Sequence, residues 1–368
     1  MRLTRLDICK AIAIILMVIG HTETQPLQRW LQEFHMPLFF IAAGFCFNPR
    51  YLNDEAAYLK RRIKGLYWPF VKWSLVFLCL HNLWFRIGLL NEQYGTYRGG
   101  VTHPFHSFRE FWQHVWSVVF NMSGYDVFLT GAFWFFRALL LASVGYLVLH
   151  KLLLHVKPLR QRPLLLTSSV AAVGLGLALW KCGMGLRVTG VPQGGYRDLM
   201  GLFFFAVGYA FRLRPRWLEG RWPVALACFA VVTLFACYLP GGMPAATTWD
   251  KCLRLPVPAV AGFVMTWWVA GRIEASATAL RSFLRYCGQH TLQIYVFHII
   301  SFKAVSALKI LYYDLPWGHI GSHMVVHYAK DDLFWIPYTI AGVGLPLLWM
   351  WCYERLRQRR LAAKGQTA

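Results

Sequence analysis

The stretch RLDICKAIAIILMVIGH, residues 5–21, decides how the rest of the chain is read. Its centre, from Ala11 to Gly20, carries no charge and suits the hydrocarbon of a bilayer, yet it begins with Arg5, Asp7 and Lys10 and ends on His21. A run of this kind, near 20 residues, has the length of a membrane-crossing helix. The chain around it has 368 residues, of which 57% are hydrophobic, 17% aromatic and only 15% charged, with a mean hydropathy of +0.41. That leaves too little charge to cover a soluble surface of this size. The sequence therefore predicts an all-α protein, a polytopic membrane helix bundle.

Working outward, apolar segments long enough to span fall near 8–24, 34–48, 66–87, 130–150, 164–180, 199–211, 222–239, 255–271, 290–311 and 333–353. This gives about ten transmembrane helices, the sixth of them short. With the N-terminus placed in the cytoplasm, 24 Lys and Arg residues fall in inner connections and 9 in outer ones, while Lys72, Arg86, Arg137, Lys303 and Lys309 fall inside helices. Such asymmetry is the positive-inside pattern, and it puts both the N-terminus and the C-terminus on the cytoplasmic side. The formal net charge of +22 is thus mostly a topology signal. It does not call for nucleic acid, since no basic stripe is interleaved with a soluble aromatic platform. The first segment also lacks small residues at a cleavage site, so it reads as a retained helix and not as a secretory signal.

Nine cysteines are scattered, mostly in apolar segments and without a CxxC pair, so neither a disulfide framework nor a zinc site is implied; Cys182 and Cys252, both in predicted outer loops, are the one pair open to bonding. No repeat or separate soluble domain is visible. The longest connection, 88–129, contains FHSFREFWQHVWSVVF, in which Phe108, Trp112, Val115 and Val119 recur at helical spacing. It is expected to be an amphipathic helix lying on the outer interface.

The first helix is the segment that carries chemistry. Asp7 and Lys10 are three apart and can partly neutralise each other. Lys10 and His21 are eleven apart, nearly three full turns, so they share a face and stand roughly 16 Å apart along the axis. One elongated ligand could touch both: an ammonium holds phosphate as a point charge, and a neutral imidazole can take a proton from an attacking hydroxyl. The alternative remains open at this stage, with Lys10 marking the inner boundary and His21 capping or snorkelling at the far one.

Together with FHMPLFFIAAGF (34–45), LKRRIKGLYWPF (59–70), FWFFRALLL (133–141), GLFFFAVGYAFR (201–212) and YCGQHTLQIYVFH (286–298), the Lys10 to His21 spacing resembles the acyltransferase-3 family of multispanning membrane O-acyltransferases. The resemblance runs from Arg5 to about His298. It implies an acyltransferase-3-like transmembrane domain over 1–354 followed by a basic cytoplasmic tail over 355–368. It also implies transfer of an acyl group, acetyl foremost, from cytoplasmic acyl-CoA (acetyl-CoA or another) to a sugar hydroxyl of a cell-surface polysaccharide or lipid-linked saccharide. Acyl-CoA is then a substrate, and no cofactor is bound permanently. The expected location is the plasma (inner) membrane of a bacterium, as a multi-pass protein. On this reading His21 is the general base or a transiently acylated nucleophile, and Lys10 with Arg61, Arg62 and Lys64 orients the donor. Two positions depart from the family pattern. Ala43 stands before Gly44 where Ser is usual, and Lys64 stands where a second Arg is frequent, so charge survives there but bidentate phosphate recognition does not.

Other candidates are weighed against plainer roles. His35 opens the second helix on the same side as His21 and could donate to an oxyanion or contact a sugar. Arg137 sits in a strongly apolar segment and needs a partner, expected to be a ligand anion or backbone carbonyls because acids are few. Lys60, Arg61, Arg62 and Lys64 could equally meet anionic lipid. Lys72 and Lys303 are expected to snorkel. Tyr295 and His298 share a helix face and are suited either to packing or to the site. His319, His323 and His327 have the spacing of helix-borne metal ligands but lie in an outer loop without an acidic partner, and no metal is expected. A transporter of a glycan or anionic metabolite that performs no chemistry is the competing class, and a silent assembly partner is a third.

Overall fold

The computed structural model describes residues 4–22, 24, 27–95, 103–123, 129–130, 132–187, 192–244, 247–276, 278–329 and 332–365. Parts of the 88–129 connection, at 96–102 and 124–128, lie outside the described residues.

Among the described residues the chain is all-helical. The helices are α1 (Thr4–Gly20), α2 (Leu27–Gln32), α3 (His35–Phe45), α4 (Glu55–Arg62), α5 (Trp68–Cys79), α6 (His81–Arg86), α7 (Glu92–Gly95), α8 (Phe108–Asn121) and α9 (Trp134–Leu153). After these come α10 (Lys157–Arg160), α11 (Pro163–Gly183), α12 (Tyr196–Leu213), α13 (Trp222–Tyr238), α14 (Trp249–Arg254), α15 (Pro256–Ala275), α16 (Ala279–Gln289), α17 (Thr291–Tyr312) and α18 (Trp335–Gly365). Each of the ten apolar segments read from the sequence overlaps a helix: α1, α3, α5, α9, α11, α12, α13, α15, α17 and α18. Five stretches are long and apolar enough to cross a membrane: 134–153, 163–183, 249–275, 291–312 and 335–362. The last of these continues without a break into the basic C-terminal segment, so residues 355–365 extend α18.

Close packing at the centre depends on small residues. A Cβ on Gly44 of α3 would collide with the backbone carbonyl of Phe205 on α12, and one on Gly208 of α12 would collide with the carbonyl of Ile41 on α3. The two helices therefore cross at backbone contact, which only glycine permits on both sides. Gly288 lets α16 approach the Asp7 carbonyl on α1 in the same way.

The 66–87 segment is interrupted. Residues Ile63–Tyr67 form a π-helical turn before α5, and Pro69 follows at once. Proline has no N–H to return to the carbonyl four residues back, so the turn widens locally instead of continuing as α-helix. Gly65 and Leu66 of this turn border a cavity.

α8 forms where its pattern predicts, with Ser107 accepting from the Glu110 N–H at its start (3.2 Å). It packs along α5. At one end Asn82 and Phe105 exchange hydrogen bonds of 3.0 and 2.8 Å; at the other the Tyr67 hydroxyl donates to the Val119 carbonyl at 2.8 Å. The apolar stripe seen in the sequence therefore divides: Val118 is buried and Val115 and Val119 are partly covered, while Phe108 and Trp112 are exposed with Trp116 and Phe120.

Lys303 also departs from its expected role. Instead of snorkelling it is buried, and its ammonium donates to the carbonyls of Ile320 (2.8 Å) and Ser322 (2.6 Å). Lys72, by contrast, is exposed and lies over the Trp73 ring. Cys182 and Cys252 are both free thiols.

Candidate functional site

α1 runs through the middle of the molecule, packed against α3, α15, α16, α17 and α18. Burial on nearly all sides explains why it is apolar almost all round, with no polar face between Ala11 and Gly20. Lys10, Ile14 and Met17 follow one another along a single face, and His21 comes one turn later.

That face borders a cavity of about 240 Å³. Lys10, Ile14 and Met17 form one wall, Met36, Phe39, Ala42 and Ala43 of α3 a second, and Phe135, Phe136 and Leu139 of α9 a third. Thr291, Leu292 and Tyr295 of α17 close it, and Gly65, Leu66 and Cys46 lie at the Lys10 end. The lining is overwhelmingly apolar, with Lys10 as its cation. Tyr295 is held in place through its hydroxyl, which donates to the Ala132 carbonyl.

The two ends of this cavity differ chemically. At the Lys10 end cations converge. Lys10 pairs with buried Asp7 at 2.7 Å. The charges that act on Cys46 at the mouth come from Lys10, Arg62, Arg212 and Arg61. Arg62 lies over the Tyr58 ring and donates to the Tyr58 hydroxyl at 3.0 Å; Arg61 donates to the Tyr51 hydroxyl at 3.1 Å. Tyr51 is flanked by Arg50 on its other side (3.2 Å), and its phenol titrates below its ordinary range because Arg50, then Arg61, favours the phenolate. Lys64 is exposed on the π turn. Arg212, which the sequence reading had only counted among inner loop charges, donates to the Phe45 carbonyl at 3.2 Å and so stands at this mouth. Its position at the end of GLFFFAVGYAFR was the available signal.

At the other end imidazoles converge. The rings of His21 and His298 have centroids 5.1 Å apart. His298 is fully buried, and its Nδ1 lies 2.9 Å from the Tyr295 carbonyl. A carbonyl only accepts, so Nδ1 carries the proton in the neutral ring and Nε2 presents a lone pair. That Nε2 is buried without a hydrogen-bond partner, as is Nδ1 of His21. His35 is fixed likewise, with Nδ1 at 2.5 Å from the Leu31 carbonyl. His298, His35 and His323 are the charged-state neighbours felt by His21. The sequence had set His323 aside with His319 and His327; in the structure the charge of His323 acts on His21, while His319 lies against the Tyr94 ring, 4.1 Å between centroids.

Arg137 is placed apart from both ends. It is buried, and its guanidinium lies 3.5 Å from the Asp198 carboxylate on α12. One partner of Arg137 is thus an acid of the chain, Asp198. Phe135 and Phe136, not Arg137, face the cavity.

The helical bundle has spans of membrane length and an apolar cavity that starts at Lys10 and stops about one turn of α1 short of His21. A family model described as an acyltransferase domain, acyltransferase-3, matches residues 3–355, and the chain belongs to that family. It is a multi-pass membrane acyltransferase. No curated protein and no solved structure matches it.

Proposed function

We propose that this protein is an O-acyltransferase that takes an acyl group, acetyl foremost, from cytoplasmic acyl-CoA and passes it to a sugar hydroxyl of a surface polysaccharide or lipid-linked glycan. The observation that carries the reading is the cavity along α1, with the cations at one end and the imidazoles one turn beyond the other. In this proposal the basic end is cytoplasmic, both termini lie on that side of an inner membrane, and about ten helices cross it.

The chemistry follows from the two ends. Lys10, Arg61, Arg62 and Lys64 hold the donor's phosphates, joined by Arg212. The apolar cavity admits the thin, largely uncharged arm that links those phosphates to the thioester and excludes water from it. His21 accepts the proton of the sugar hydroxyl as its oxygen attacks the thioester carbon. The C–O bond forms, the C–S bond breaks, and the thiolate leaves towards the basic end. His298, with its tautomer fixed by the Tyr295 carbonyl, orients His21, and His35, its Nδ1 proton held by the Leu31 carbonyl, contacts the sugar by accepting from a hydroxyl at Nε2. Asp7 holds Lys10 in position.

The test is mass spectrometry of surface glycans from a host deleted for this gene and complemented with wild type, H21A or H21Q at matched expression. Loss of an acetyl-sized mass that wild type alone restores is the expected result. Full restoration by H21Q would favour a transporter, which needs no base at that position.

A further inference from the structure

Cys182 and Cys252, the pair of cysteines that the sequence leaves open to bonding, stand where three helices meet. Cys182 is at the end of α11, and the chain turns sharply behind it. The Met184 N–H donates to the Trp180 carbonyl and the Leu186 N–H to the Lys181 carbonyl, both at 3.0 Å, with Gly185 between them in the left-handed region at φ 63°. Cys252 lies in α14, its N–H bonded to the Thr248 carbonyl at 3.0 Å.

α14 packs on α11, and α11 on α12. Gly174 makes the second contact close, since a Cβ there would lie 3.1 Å from the Phe203 nitrogen of α12. This brings Met200 of α12 to the joint, its sulfur 3.5 Å from Cys252 Sγ. The two thiols meet each other as hydrogen-bond partners, and the charge of Lys181 acts on both. Cys252 is fully buried and Cys182 only half-buried, so one sulfur of the pair is reachable from outside. Both side chains are short and sit on packed helices, so the backbone sets their contact. That is the condition a disulfide needs, because cysteines held apart cannot be bridged without backbone movement.

The joint lies at the end of α12 away from the basic mouth. Met200 and Arg212 are twelve residues apart on that helix, roughly 18 Å along its axis, and Arg212 is the residue that stands at the mouth. With the basic end cytoplasmic, as proposed above, the cysteines are on the outer face, where disulfides form and persist. The inference rests on that orientation.

We infer that Cys182 and Cys252 form a disulfide on the outer face, stapling α11 to α14 across the segment that contains α12 and α13. The accessible Cys182, as thiolate, attacks one sulfur of a disulfide oxidant, either a protein disulfide or a small one, and breaks the oxidant's S–S bond. The thiolate of Cys252 then attacks the Cys182 sulfur of the mixed disulfide. The new S–S bond joins the two cysteines, and the oxidant leaves as two thiols carrying the two electrons and two protons that the pair gave up.

The experiment has two arms, both on the full chain. In the first, cells are quenched in acid, their proteins are alkylated with N-ethylmaleimide in denaturant, and the unreduced digest is read by mass spectrometry. A Cys182 peptide joined to a Cys252 peptide is expected from most of the wild-type chain, and none from Cys182→Ser. In the second, the reduced, detergent-solubilised protein is exposed to oxidised glutathione and read in the same way; the same joined peptide is expected. Alkylation of both cysteines in both arms would mean that the thiols do not meet, overturning the inference while the proposed orientation stands. A bridge made by glutathione but absent in cells would put this end on a reducing face, overturning the inference and the orientation together. Neither result bears on acyl transfer, because no activity is read.

Discussion

The two ends of the α1 cavity are built on opposite principles. At the basic end, charge comes from several elements, Lys10 on α1, Arg61 and Arg62 on α4, Lys64 on the π turn and Arg212 on α12, and some of these side chains are long and exposed. At the histidine end, His298 and His35 are buried, short, and locked by backbone carbonyls at 2.9 and 2.5 Å. A diffuse cluster of cations supplies binding that tolerates loss of a member. A locked imidazole supplies geometry that does not. The contrast teaches where each substitution should act: on the donor's KM at one end, on kcat at the other.

His21→Gln is the strongest way to break that contrast. Removing a general base costs typically 10²–10⁴-fold in rate, so transfer should fall by about that factor while donor affinity and thermal unfolding stay near wild type. Membranes carrying the variant, assayed for transfer at matched protein level, check it. A variant that retains most of the rate would place the base elsewhere, with His298 and its buried, unpartnered lone pair the next candidate.

His298→Gln sharpens the same end. The amide can keep a hydrogen bond but cannot take up a proton, and its fixed neighbour Tyr295 remains. A positioning role predicts a loss of about tenfold to a hundredfold in kcat, smaller than for His21, with the donor's KM unmoved. A pH–rate profile distinguishes positioning from a bystander role, since a neighbouring imidazole that acts on His21 should shift the profile's acidic limb when it is removed. An unchanged profile with an unchanged rate would reduce His298 to packing.

At the basic end, Arg61→Gln and Arg62→Gln should each raise the donor's KM by about tenfold or less and leave kcat alone, because each removes one charge-assisted contact among several. Added salt should narrow the difference from wild type for the exposed Arg61. Lys10→Gln should act more strongly than either, because it also leaves Asp7 buried beside a neutral group; Lys10→Arg should recover most of the loss. A kcat effect from Arg61→Gln would mean that this end participates in the chemical step and that the division argued here is wrong.

How far these regions could be read from sequence follows the same division. The helices were legible because bilayer-length apolar runs leave few alternatives, and the face shared by Lys10 and His21 was legible because both lie on one regular helix. The pairing of His21 with His298 depends on α17 packing against α1, which is a tertiary fact. His323 was hidden by a spacing that suggested metal ligation within one helix, whereas His319 lies in the short turn Trp317–Gly321 and His323 and His327 in the loop after it. α8 shows another limit: amphipathic periodicity states that one face is apolar, but not which helix the segment packs along, here α5. Arg212 looked like one more inner loop charge because a positive-inside count cannot distinguish topology from ligand binding.

The smallest effect on activity is expected at Arg137. Its ion pair with Asp198 is nearly dry, with side-chain exposures of 4% and 11%, and breaking a buried pair from one side typically costs 3–5 kcal/mol because the other charge is left uncompensated. Arg137→Met should therefore lower the unfolding temperature of the detergent-solubilised protein clearly, while the fraction that remains folded binds donor as wild type does. Adding Asp198→Asn to Arg137→Met should return part of the lost stability, since the orphaned carboxylate is then neutral. The opposite pattern, a raised donor KM with unfolding unchanged, would move Arg137 into the donor site and extend the basic end of the cavity along α9. The geometry argues against that pattern, because the guanidinium is turned to α12 while its neighbours Phe135 and Phe136 face the cavity.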